Sequence, residues 1–575
     1  MKIISKQKYV KDKDIELIQK KYNISKDLAK FLLGRKLKED IVEALLGEYL
    51  LPKHNNITNL EEGATLIASF LEKENASIYV YADYDADGIN AGFIASDCLT
   101  KIKEATNSLC DVEVYFPNRT DGYGLSLEWC KKLVEKNKIE KKEILVMTVD
   151  NGITKKIETE YLLQNNIEVL ITDHHHPKEG EVPEDVLVID PWLHNDKDSL
   201  GLCGTGVAYK LFAYLLENIY QDDSKYHLFY LPHVAIATIT DIMPLTIENI
   251  HYVKYGLYLI EHDYCVKGIQ YYKERKSINT LSTKEIAFSL GPQLNACGRM
   301  FKTEAAGNFL LADEDEEVID TYNIISKIND ERKKFQSQIL EDIFETIEVK
   351  NDTKFIIAHV EEIGGVGGVI AAKITEKYGL PCMVLGGKGD LLHGSARSIG
   401  NLDLFELFIE EVEKGNILNF GGHKGAAGVE VDKNKLNKLK SSLEERLKDV
   451  SFDVENNEVD EIMVDEIITL KDINKNKIDI FNGIPFINTL EEPVFAIKDL
   501  EVFEWTASKN NPENLCLTVM DSITKVTKKI WVWGFTSKYK EMNTPTKIHL
   551  VGNIERDFMN IKNYTLSVKN VIPAI

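Results

Sequence analysis

Three aspartates alternate in the segment DYDADG, residues 83–88, directly after the apolar run SIYVYA. Alternate residues of an extended segment face the same way about 6–7 Å apart. Ionised Asp83, Asp85 and Asp87 would therefore repel one another unless cations lie between them. The spacing predicts a divalent-metal site. Taken by itself, the motif also fits an acidic turn that faces solvent.

A calcium-binding loop also opens with D-x-D-x-D-G, so calcium is the first alternative to consider. Such a loop needs a bidentate glutamate at its twelfth position. That position is Ile94, in an apolar stretch with helical spacing. The sequence therefore argues against calcium.

Other apolar runs also end in residues that can bind metals. Asp150 closes EILVMTVD, and IEVLITD is followed directly by His174 and His175. Asp241 ends HVAIATITD, where a lone buried carboxylate would be costly, although a helix-end or turn aspartate is the commoner explanation. Histidine beside carboxylates suits manganese, iron or zinc, and a mostly carboxylate set favours Mn²⁺ or Mg²⁺.

The elements that must position these residues can be predicted from the alternation of helical stretches and short apolar runs between residues 57 and 250. This alternation predicts an α/β fold with a parallel sheet, and ligands of such sheets gather outside the carboxyl ends of the strands. A second α/β block carries the glycine-rich turns GGVGGV, LHGSARS and FGGHKGAAG, and the last part has the short strands of a small barrel or sandwich. We predict five parts: a helical lead-in at residues 1–55, a catalytic domain at 56–312, a connecting helix at 313–350, a second α/β domain at 351–450 and a β domain at 455–575.

The composition is that of an ordinary soluble protein, with 44% hydrophobic and 28% charged residues among 575. No window is apolar enough for a membrane span, and the first residues lack the apolar stretch of a secretory signal, so we expect a cytoplasmic protein. The eight cysteines show no zinc-type spacing and are expected to be reduced. The net charge of -23 argues against a protein that coats nucleic acid by bulk electrostatics, so any such binding must be local.

The order of the motifs DYDADG, VDNG, DHH and TDIMPL resembles that of the DHH phosphoesterases. PNRTDGYGLS, GPQLNACGRM, HGSARS and FGGHKGAAG are similar to further signatures of the RecJ subgroup of that family. The resemblance implies two divalent cations, Mn²⁺ or Mg²⁺, and a catalytic role for Asp150, His174, His175 and Asp241. Asp150 and Asp241 would bridge the ions, Asp87 and His174 would complete one site, and Asp85 with Asp83 would complete the other. His175 would contact the scissile phosphate.

The resemblance also implies where a DNA strand would bind. Glycine turns let backbone amides approach phosphates, and Arg397 offers a planar donor fork. The C-terminal part resembles an oligonucleotide-binding (OB) fold, in which Trp505, Trp531 or Trp533 could stack on bases, although strand tryptophans are more often core residues. The substrate-binding residues implied by the family motifs are Asn118, Arg119, Asn295, Arg299, Ser395, Arg397 and His423.

Some positions depart from the family pattern. Gln293 replaces the first arginine of a motif usually written GPRLNAAGR, and Glu362 and Ile363 occupy the place of a tryptophan-histidine pair. These changes would remove phosphate contacts while leaving the metal ligands untouched. His176 replaces an apolar residue after the DHH triplet and is interpreted as an exposed loop residue.

The function that the resemblance implies is hydrolysis of single-stranded DNA from the 5′ end to mononucleotides, in DNA repair or recombination. The polarity comes from the family and not from the residues. The alternatives are a DHH phosphodiesterase for short oligonucleotides or cyclic dinucleotides, and a non-catalytic DNA-binding scaffold. Expected partners are single-stranded DNA and, beyond it, a single-stranded-DNA-binding protein or a helicase, and the chain is expected to be a monomer.

Overall fold

The structure is a computed structural model that describes residues 2–48, 50–350, 352–452, 461–486, 490–557, 560 and 563–574. It divides into two compact units. Unit 1 consists of residues 1–50, 245–254 and 456–575, and unit 2 consists of residues 51–244 and 255–455. The five domains expected from the sequence stay a prediction.

The chain starts in unit 1 with a strand and three helices. Ser25 caps the second helix by accepting a hydrogen bond from the Leu28 amide, and this helix buries Leu28, Phe31 and Leu32 in an apolar core. The sequence predicted helices in this region and did not predict the strand. These elements are β1 (Lys2–Ser5), α1 (Asp12–Tyr22), α2 (Lys26–Gly34) and α3 (Glu39–Leu46).

Unit 2 opens with the predicted alternation of helices and strands. The strands form a five-stranded sheet in the order β3-β2-β4-β5-β6, and every neighbouring pair is parallel. The parallel sheet inferred from the short apolar runs is therefore confirmed. Its elements are α4 (Leu60–Leu71), β2 (Ala76–Tyr81), α5 (Ala86–Thr106), β3 (Asp111–Tyr115), α6 (Leu127–Glu140), β4 (Glu143–Val149), α7 (Lys156–Gln164), β5 (Glu168–Thr172) and β6 (Leu187–Ile189).

A helical region follows the parallel sheet. A π-helical turn, Leu215–Ile219, continues α9, and a second one, Ile286–Leu290, precedes α14. The 32-residue helix α16 buries Ile325 and Ile328 on one side, as its apolar period predicts. The helices are α8 (Pro191–His194), α9 (Gly204–Tyr214), α10 (Leu231–Thr240), α11 (Ile247–Glu261), α12 (Lys267–Lys276), α13 (Thr283–Glu285), α14 (Gly291–Arg299), α15 (Glu304–Leu311) and α16 (Asp315–Thr346).

The remainder of unit 2 is a second α/β layer, as expected. Its sheet has the order β10-β11-β9-β8-β7, in which β7 and β8 are parallel and the other pairs are antiparallel. The elements are β7 (Ile356–Val360), α17 (Gly367–Tyr378), β8 (Cys382–Gly386), β9 (Leu391–Arg397), α18 (Leu404–Glu413), β10 (Asn419–His423), β11 (Ala426–Asp432) and α19 (Leu436–Leu447).

The C-terminal part of unit 1 is a mainly antiparallel β domain. Its main sheet has the order β16-β15-β14-β17-β18, with β13 added in parallel to β14, and among the described residues no pairing closes it into a barrel. β12 pairs in parallel with β1 from the other end of the chain. The elements are β12 (Glu461–Val464), β13 (Glu466–Ile468), α20 (Lys475–Asp479), β14 (Phe495–Ala507), β15 (Leu515–Asp521), β16 (Thr527–Val532), α21 (Thr536–Glu541), β17 (Lys547–Arg556) and β18 (Tyr564–Pro573).

An ion pair also joins the two ends of the chain within unit 1. The Arg35 guanidinium donates from Nε and Nη2 to the two oxygens of Asp465, each at 2.6 Å. Both side chains are largely buried, at 11% and 3% exposure, so this bidentate contact is shielded from solvent. All eight cysteines are buried free thiols. No described helix has the length and apolar character that crossing a membrane requires.

Candidate metal centre

Three aspartates follow the carboxyl ends of neighbouring strands in the parallel sheet. Asp83 follows β2, Asp150 follows β4 and Asp173 follows β5. Each is at most 2% exposed. The sheet thus concentrates negative charge at one edge, where its topology predicts ligand binding.

The amino end of α5 adds two more carboxylates. Asp85 caps this helix by accepting hydrogen bonds from the Asp87 and Gly88 amides at 2.9 and 3.3 Å. Asp87 in turn accepts from the amides of Gly204 and Thr205, both at 2.8 Å, at the amino end of α9. Helix amino ends favour negative charge, so α9 holds the Asp87 carboxylate in place.

His174 lies among these carboxylates. Its Nε2 atom is 3.1 Å from Asp150 Oδ1, 3.6 Å from Asp87 Oδ2 and 3.9 Å from Asp241 Oδ2. Its Nδ1 atom lies 3.0 Å from the Leu202 carbonyl oxygen, which can only accept a hydrogen bond. The neutral tautomer therefore carries its proton on Nδ1 and turns the Nε2 lone pair toward the acids, as a metal-ligating histidine does.

The donor atoms form overlapping groups with the spacing of metal ligands. Within each group the atoms lie no more than 4.8 Å apart. One oxygen of Asp83 and one of Asp150 are buried without a hydrogen-bond partner among the described residues. The groups are Asp83–Asp85–Asp150, Asp87–His174–Asp241 and Asp150–His174–His175.

Electrostatics also indicate that this centre needs cations. Burial and then the charges of neighbouring aspartates raise the pKa of Asp83 and Asp150 well above the ordinary value. The same two causes raise the pKa of Asp241 to about 8, whereas burial lowers the pKa of His174. Divalent ions would neutralise the acids and accept the imidazole lone pair, so these residues fit a mixed carboxylate–histidine metal site.

His175 also forms hydrogen bonds with residues outside these groups. Its Nδ1 atom is 2.7 Å from Asp173 Oδ1, and its Nε2 atom is 3.0 Å from the Tyr123 hydroxyl. Burial lowers the pKa of His175, but the charge and hydrogen bond of Asp173 outweigh it and raise the pKa to about 9. Tyr123 was not among the predicted site residues, although it lies in the motif PNRTDGYGLS.

Arg299 lies beside this centre, with three other arginines close enough to affect its charge. Burial first, and then the charges of Arg119, Arg332 and Arg397, lower the pKa of Arg299 to about 10, while Asp85 acts in the opposite direction. The Arg119 guanidinium lies 4.3 Å from the centre of the Tyr84 ring. Arg332, on α16, has a buried Nε atom without a hydrogen-bond partner among the described residues and was not predicted.

The predicted asparagines make contacts inside the protein. Asn295 Oδ1 accepts from the amide of Ala86, the first residue of α5, at 2.8 Å. Asn118 Oδ1 accepts from the Thr303 amide at 3.2 Å. Both side chains therefore connect the loops around the centre to the helices that follow the sheet.

The second α/β layer contributes its glycine turn and β9. A Cβ atom at Gly368 would lie 2.8 Å from Arg397 Nη2, and one at Gly367 would lie 3.7 Å from Ser395 Oγ. The glycines thus leave room for the two side chains that the resemblance assigns to the substrate. His423 is exposed on β10, and its Nδ1 accepts from the Gly425 amide at 3.2 Å.

The departures from the family pattern have local structural explanations. Gln293 is buried and donates to Ser326 Oγ on α16 at 2.7 Å. Ile363 packs over Gly386, where a Cβ atom would lie 2.4 Å from Ile363 Cγ2. His176 is exposed, as expected, and its ring centre lies 3.8 Å from that of Trp192.

In unit 1 the three tryptophans differ in environment. Trp505 is half-buried beside Tyr539, with ring centres 5.8 Å apart. Trp531 and Trp533 stack on each other, with ring centres 5.9 Å apart and planes at 11°. Trp533 is 49% exposed, so this pair presents an aromatic surface at the end of β16.

Known families match both parts of unit 2. A family described as "DHH family, N-terminal domain" matches residues 77–238, and the DHHA1 domain matches residues 352–449. The single-stranded-DNA-specific exonuclease RecJ of Bacillus subtilis (strain 168) is 29% identical over 397 residues. The alignment covers 67% of this chain and 47% of that relative, so the chain spans about half of the relative's length.

Solved structures of RecJ are also similar to this chain. The crystal structure of RecJ with Mn²⁺ from Thermus thermophilus has a TM-score of 0.79 at 22% identity, covering 100% of this chain and 79% of that one, which shows a shared fold. A structure of exonuclease RecJ bound to manganese has a TM-score of 0.57 at 29% identity, covering 68% of this chain and 94% of the other. The chain therefore contains a DHH domain and a DHHA1 domain and shares the fold of RecJ.

Proposed function

We propose that this chain is a metal-dependent exonuclease that hydrolyses single-stranded DNA from the 5′ end to mononucleotides, in DNA repair or recombination. The observation that carries the proposal is a buried carboxylate–histidine cluster beside four arginines within one unit. The matched relative is named as a single-stranded-DNA-specific exonuclease, which supports this substrate. The 5′ polarity and the mononucleotide product come from the family.

The acidic cluster would hold two divalent cations, Mn²⁺ or Mg²⁺. When bound, such a pair activates water and stabilises the charge that develops on a phosphodiester during in-line displacement. Manganese in a RecJ structure of 29% identity supports this choice. Asp150 and Asp241 would lie between the ions, with Asp87 and His174 on one side and Asp83 and Asp85 on the other.

His175 would act on the scissile phosphate. Asp173 orients the ring through Nδ1, and the Tyr123 hydroxyl lies beside the ring, 3.0 Å from Nε2 and 3.1 Å from Nδ1. The charge and hydrogen bond of Asp173 favour the protonated ring. We therefore assign it as a hydrogen-bond donor to a phosphate oxygen, with Tyr123 as a positioning residue.

The arginine group would bind the phosphates of the strand. Arg119, Arg299, Arg332 and Arg397 supply the local positive charge that a chain of net charge -23 needs in order to bind DNA. Ser395 and His423 would extend this surface along the second α/β layer. Asn118 and Asn295, whose side-chain oxygens are engaged inside the protein, would position the loops that face the strand.

Unit 1 would contribute to DNA binding through an OB-like fold. The stacked Trp531 and Trp533 support this proposal because exposed aromatic rings can stack on bases of any sequence. A role for a single-stranded-DNA-binding protein or a helicase as partner, and a monomeric state, stay predictions.

The test compares polymeric and small substrates with one protein preparation. Long single-stranded DNA labelled at the 5′ or the 3′ end, the same sequence as RNA, a dinucleotide and pyrophosphate are each incubated with Mn²⁺ or Mg²⁺, with a chelator as the control. We expect the 5′ label to appear first as a mononucleotide, and only with metal present. Early release of the 3′ label would contradict the polarity, and hydrolysis of only the dinucleotide or pyrophosphate would contradict the substrate.

A further inference from the structure

A second group of metal-ligating side chains lies in unit 2, formed by residues that the aspartate cluster does not include. His54 precedes α4, Glu217 lies in the π-helical turn Leu215–Ile219, and His227 lies in the short 3₁₀ helix Tyr226–Tyr230. One ligand atom from each residue lies within 4.8 Å of the other two. Three segments that are separate in sequence therefore meet at one point.

The Glu217 carboxylate is shared between the two imidazoles. Its Oε1 lies 2.9 Å from His227 Nε2, and its Oε2 lies 3.5 Å from His54 Nε2. The histidine side chains are 4% and 10% exposed, whereas that of Glu217 is 37% exposed. An ion could thus enter from the glutamate side and meet two enclosed nitrogen ligands.

The surroundings of His227 match those of a metal-ligating histidine, whereas the Nδ1 atom of His54 lacks the corresponding partner within the described ranges. The buried Tyr209 hydroxyl lies 3.1 Å from His227 Nδ1, which places a polar partner on the nitrogen that faces away from the carboxylate. His54 Nδ1 is buried without a hydrogen-bond partner in the described part of the chain. Burial lowers the pKa of both histidines, that of His54 to about 3, and so favours the neutral imidazole that binds metals.

The backbone conformation at Glu217 also indicates a functional site. A π-helical turn is rarer and less favourable than a continued α-helix, and such turns are frequent at functional sites. Here the turn follows α9 directly and carries the carboxylate that contacts both imidazoles. The local irregularity thus coincides with the one acidic member of the group.

We propose that His54, Glu217 and His227 bind one zinc ion, with water as the remaining ligand. Two imidazoles and one carboxylate form an established zinc ligand set. The ion would tie the segment before α4 to the end of α9 and would stabilise unit 2, so this proposal does not depend on the exonuclease activity. The Lys210 ammonium contacts the Lys53 carbonyl, Asn56 and Ser199. Its positive charge lowers the pKa of His54 and would reduce the affinity of the site for a cation.

The test is a difference in bound metal between variants of the full chain. Protein freed of metal with a chelator is equilibrated with ZnCl₂ or CoCl₂, desalted and analysed for metal content, and the cobalt form is also examined by absorption spectroscopy. We expect His227→Gln and Glu217→Gln each to lose about one equivalent of zinc. In both variants the visible absorption band of bound cobalt should disappear. Zinc should also raise their Tm less than it raises the Tm of the unchanged chain.

The controls separate loss of binding from loss of folding. Glu217→Gln changes a partly exposed side chain, so circular dichroism should show an intact fold. His393→Gln is the matched control, because His393 faces Glu430 at 3.2 Å but belongs to no three-ligand group among the described residues. Equal zinc content and equal Tm shifts in the unchanged chain, His227→Gln and Glu217→Gln would overturn the proposal and leave an ordinary histidine–carboxylate cluster.

Discussion

His174 Nε2 lies 3.1 Å from Asp150 Oδ1, and these two residues follow adjacent parallel strands of the same sheet. Burial raises the pKa of Asp150, and the charges of Asp87, Asp85 and Asp83 raise it further. A change at Asp150 should therefore affect the whole centre.

Asp150→Asn keeps the shape of the side chain and removes its negative charge. We expect DNA hydrolysis to fall by about 10³-fold or more, because a shared ligand is lost. Initial rates on 5′-labelled DNA measure this. Asp190→Asn is the matched control, since Asp190 is also a buried aspartate after a strand but its carboxylate caps α8. Similar losses in both variants would contradict a special role for Asp150.

Gly204→Ala tests how closely α9 approaches the centre. The new Cβ atom would lie 2.2 Å from Asp150 Oδ1, so the carboxylate or the helix must move. We expect lost activity and a destabilisation of about 1–3 kcal/mol, measured by urea unfolding. Gly206→Ala on the same helix should be milder, because its nearest neighbour is a leucine methyl at 3.3 Å. An active, stable Gly204→Ala variant would contradict this packing.

Tyr123→Phe removes the hydroxyl 3.0 Å from His175 Nε2 while keeping the ring. We expect kcat to fall roughly tenfold with little change in KM, because the His175 ring loses one of its two orienting contacts. Steady-state kinetics on DNA measure both parameters. Tyr115→Phe, which removes a hydroxyl that contacts Asp121, should leave kcat unchanged. A change in KM alone would indicate a role in strand binding instead.

Arg332→Ala tests the arginine that sequence reasoning missed. If Arg332 contacts a DNA phosphate, KM for single-stranded DNA should rise about tenfold, the salt dependence of binding should weaken and kcat should change little. Binding measured at several salt concentrations checks this. Lys333→Ala removes the adjacent exposed cation on α16, which pairs with Asp330. Equal effects of the two changes would show that only net charge matters.

Asp521 provides a test of stability against pH in unit 1. Burial acts to raise its pKa, but hydrogen bonds from the amides of Leu470, Thr524 and Ile523 prevail and lower it. A lowered folded-state pKa gives stability that is present above the unfolded value of about 3.9 and is lost as the pH falls through the folded value. Asp521→Asn should thus cost about 1–3 kcal/mol at pH 7 and progressively less below pH 4.

Thermal unfolding from pH 2.5 to 7 measures this difference. Asp479→Asn, an exposed aspartate at the end of α20, is the control and should follow the unchanged chain throughout. If the Tm difference between Asp521→Asn and the unchanged chain stays constant across this pH range, the charge of the carboxylate is not the cause of the lost stability.

The metal centre could be predicted because its signals are local. Asp83, Asp150 and His174 each follow an apolar run, and parallel strands place their carboxyl ends together. Asp241 joins them from the end of α10 and not from a strand. Its place in the cluster was implied by the family motif, since the length and burial of the preceding run do not distinguish a strand from a helix.

Contacts between distant segments could not be predicted from residue patterns. Arg332 lies on α16, which carries many charged residues. The apolar period of this segment predicts a helix, but it does not predict which cation faces the metal centre. The pairing of β1 with β12 depends on a register between opposite ends of the chain, for which short strands carry little information. Gln293 was interpreted as a lost substrate contact, and the structure places its side chain in the packing of α14 against α16.

The pairing of β1 with β12 has a consequence for biosynthesis. Unit 1 needs residues from before 50 and after 456, whereas the parts of unit 2 all precede 456. On a ribosome the helices α1 to α3 emerge before residues 468–571, which share their apolar core, so their apolar faces stay uncovered until that later segment is translated. Unit 2 can fold earlier, so residues before 50 reach their final neighbours only after the later segments of unit 2 have been translated.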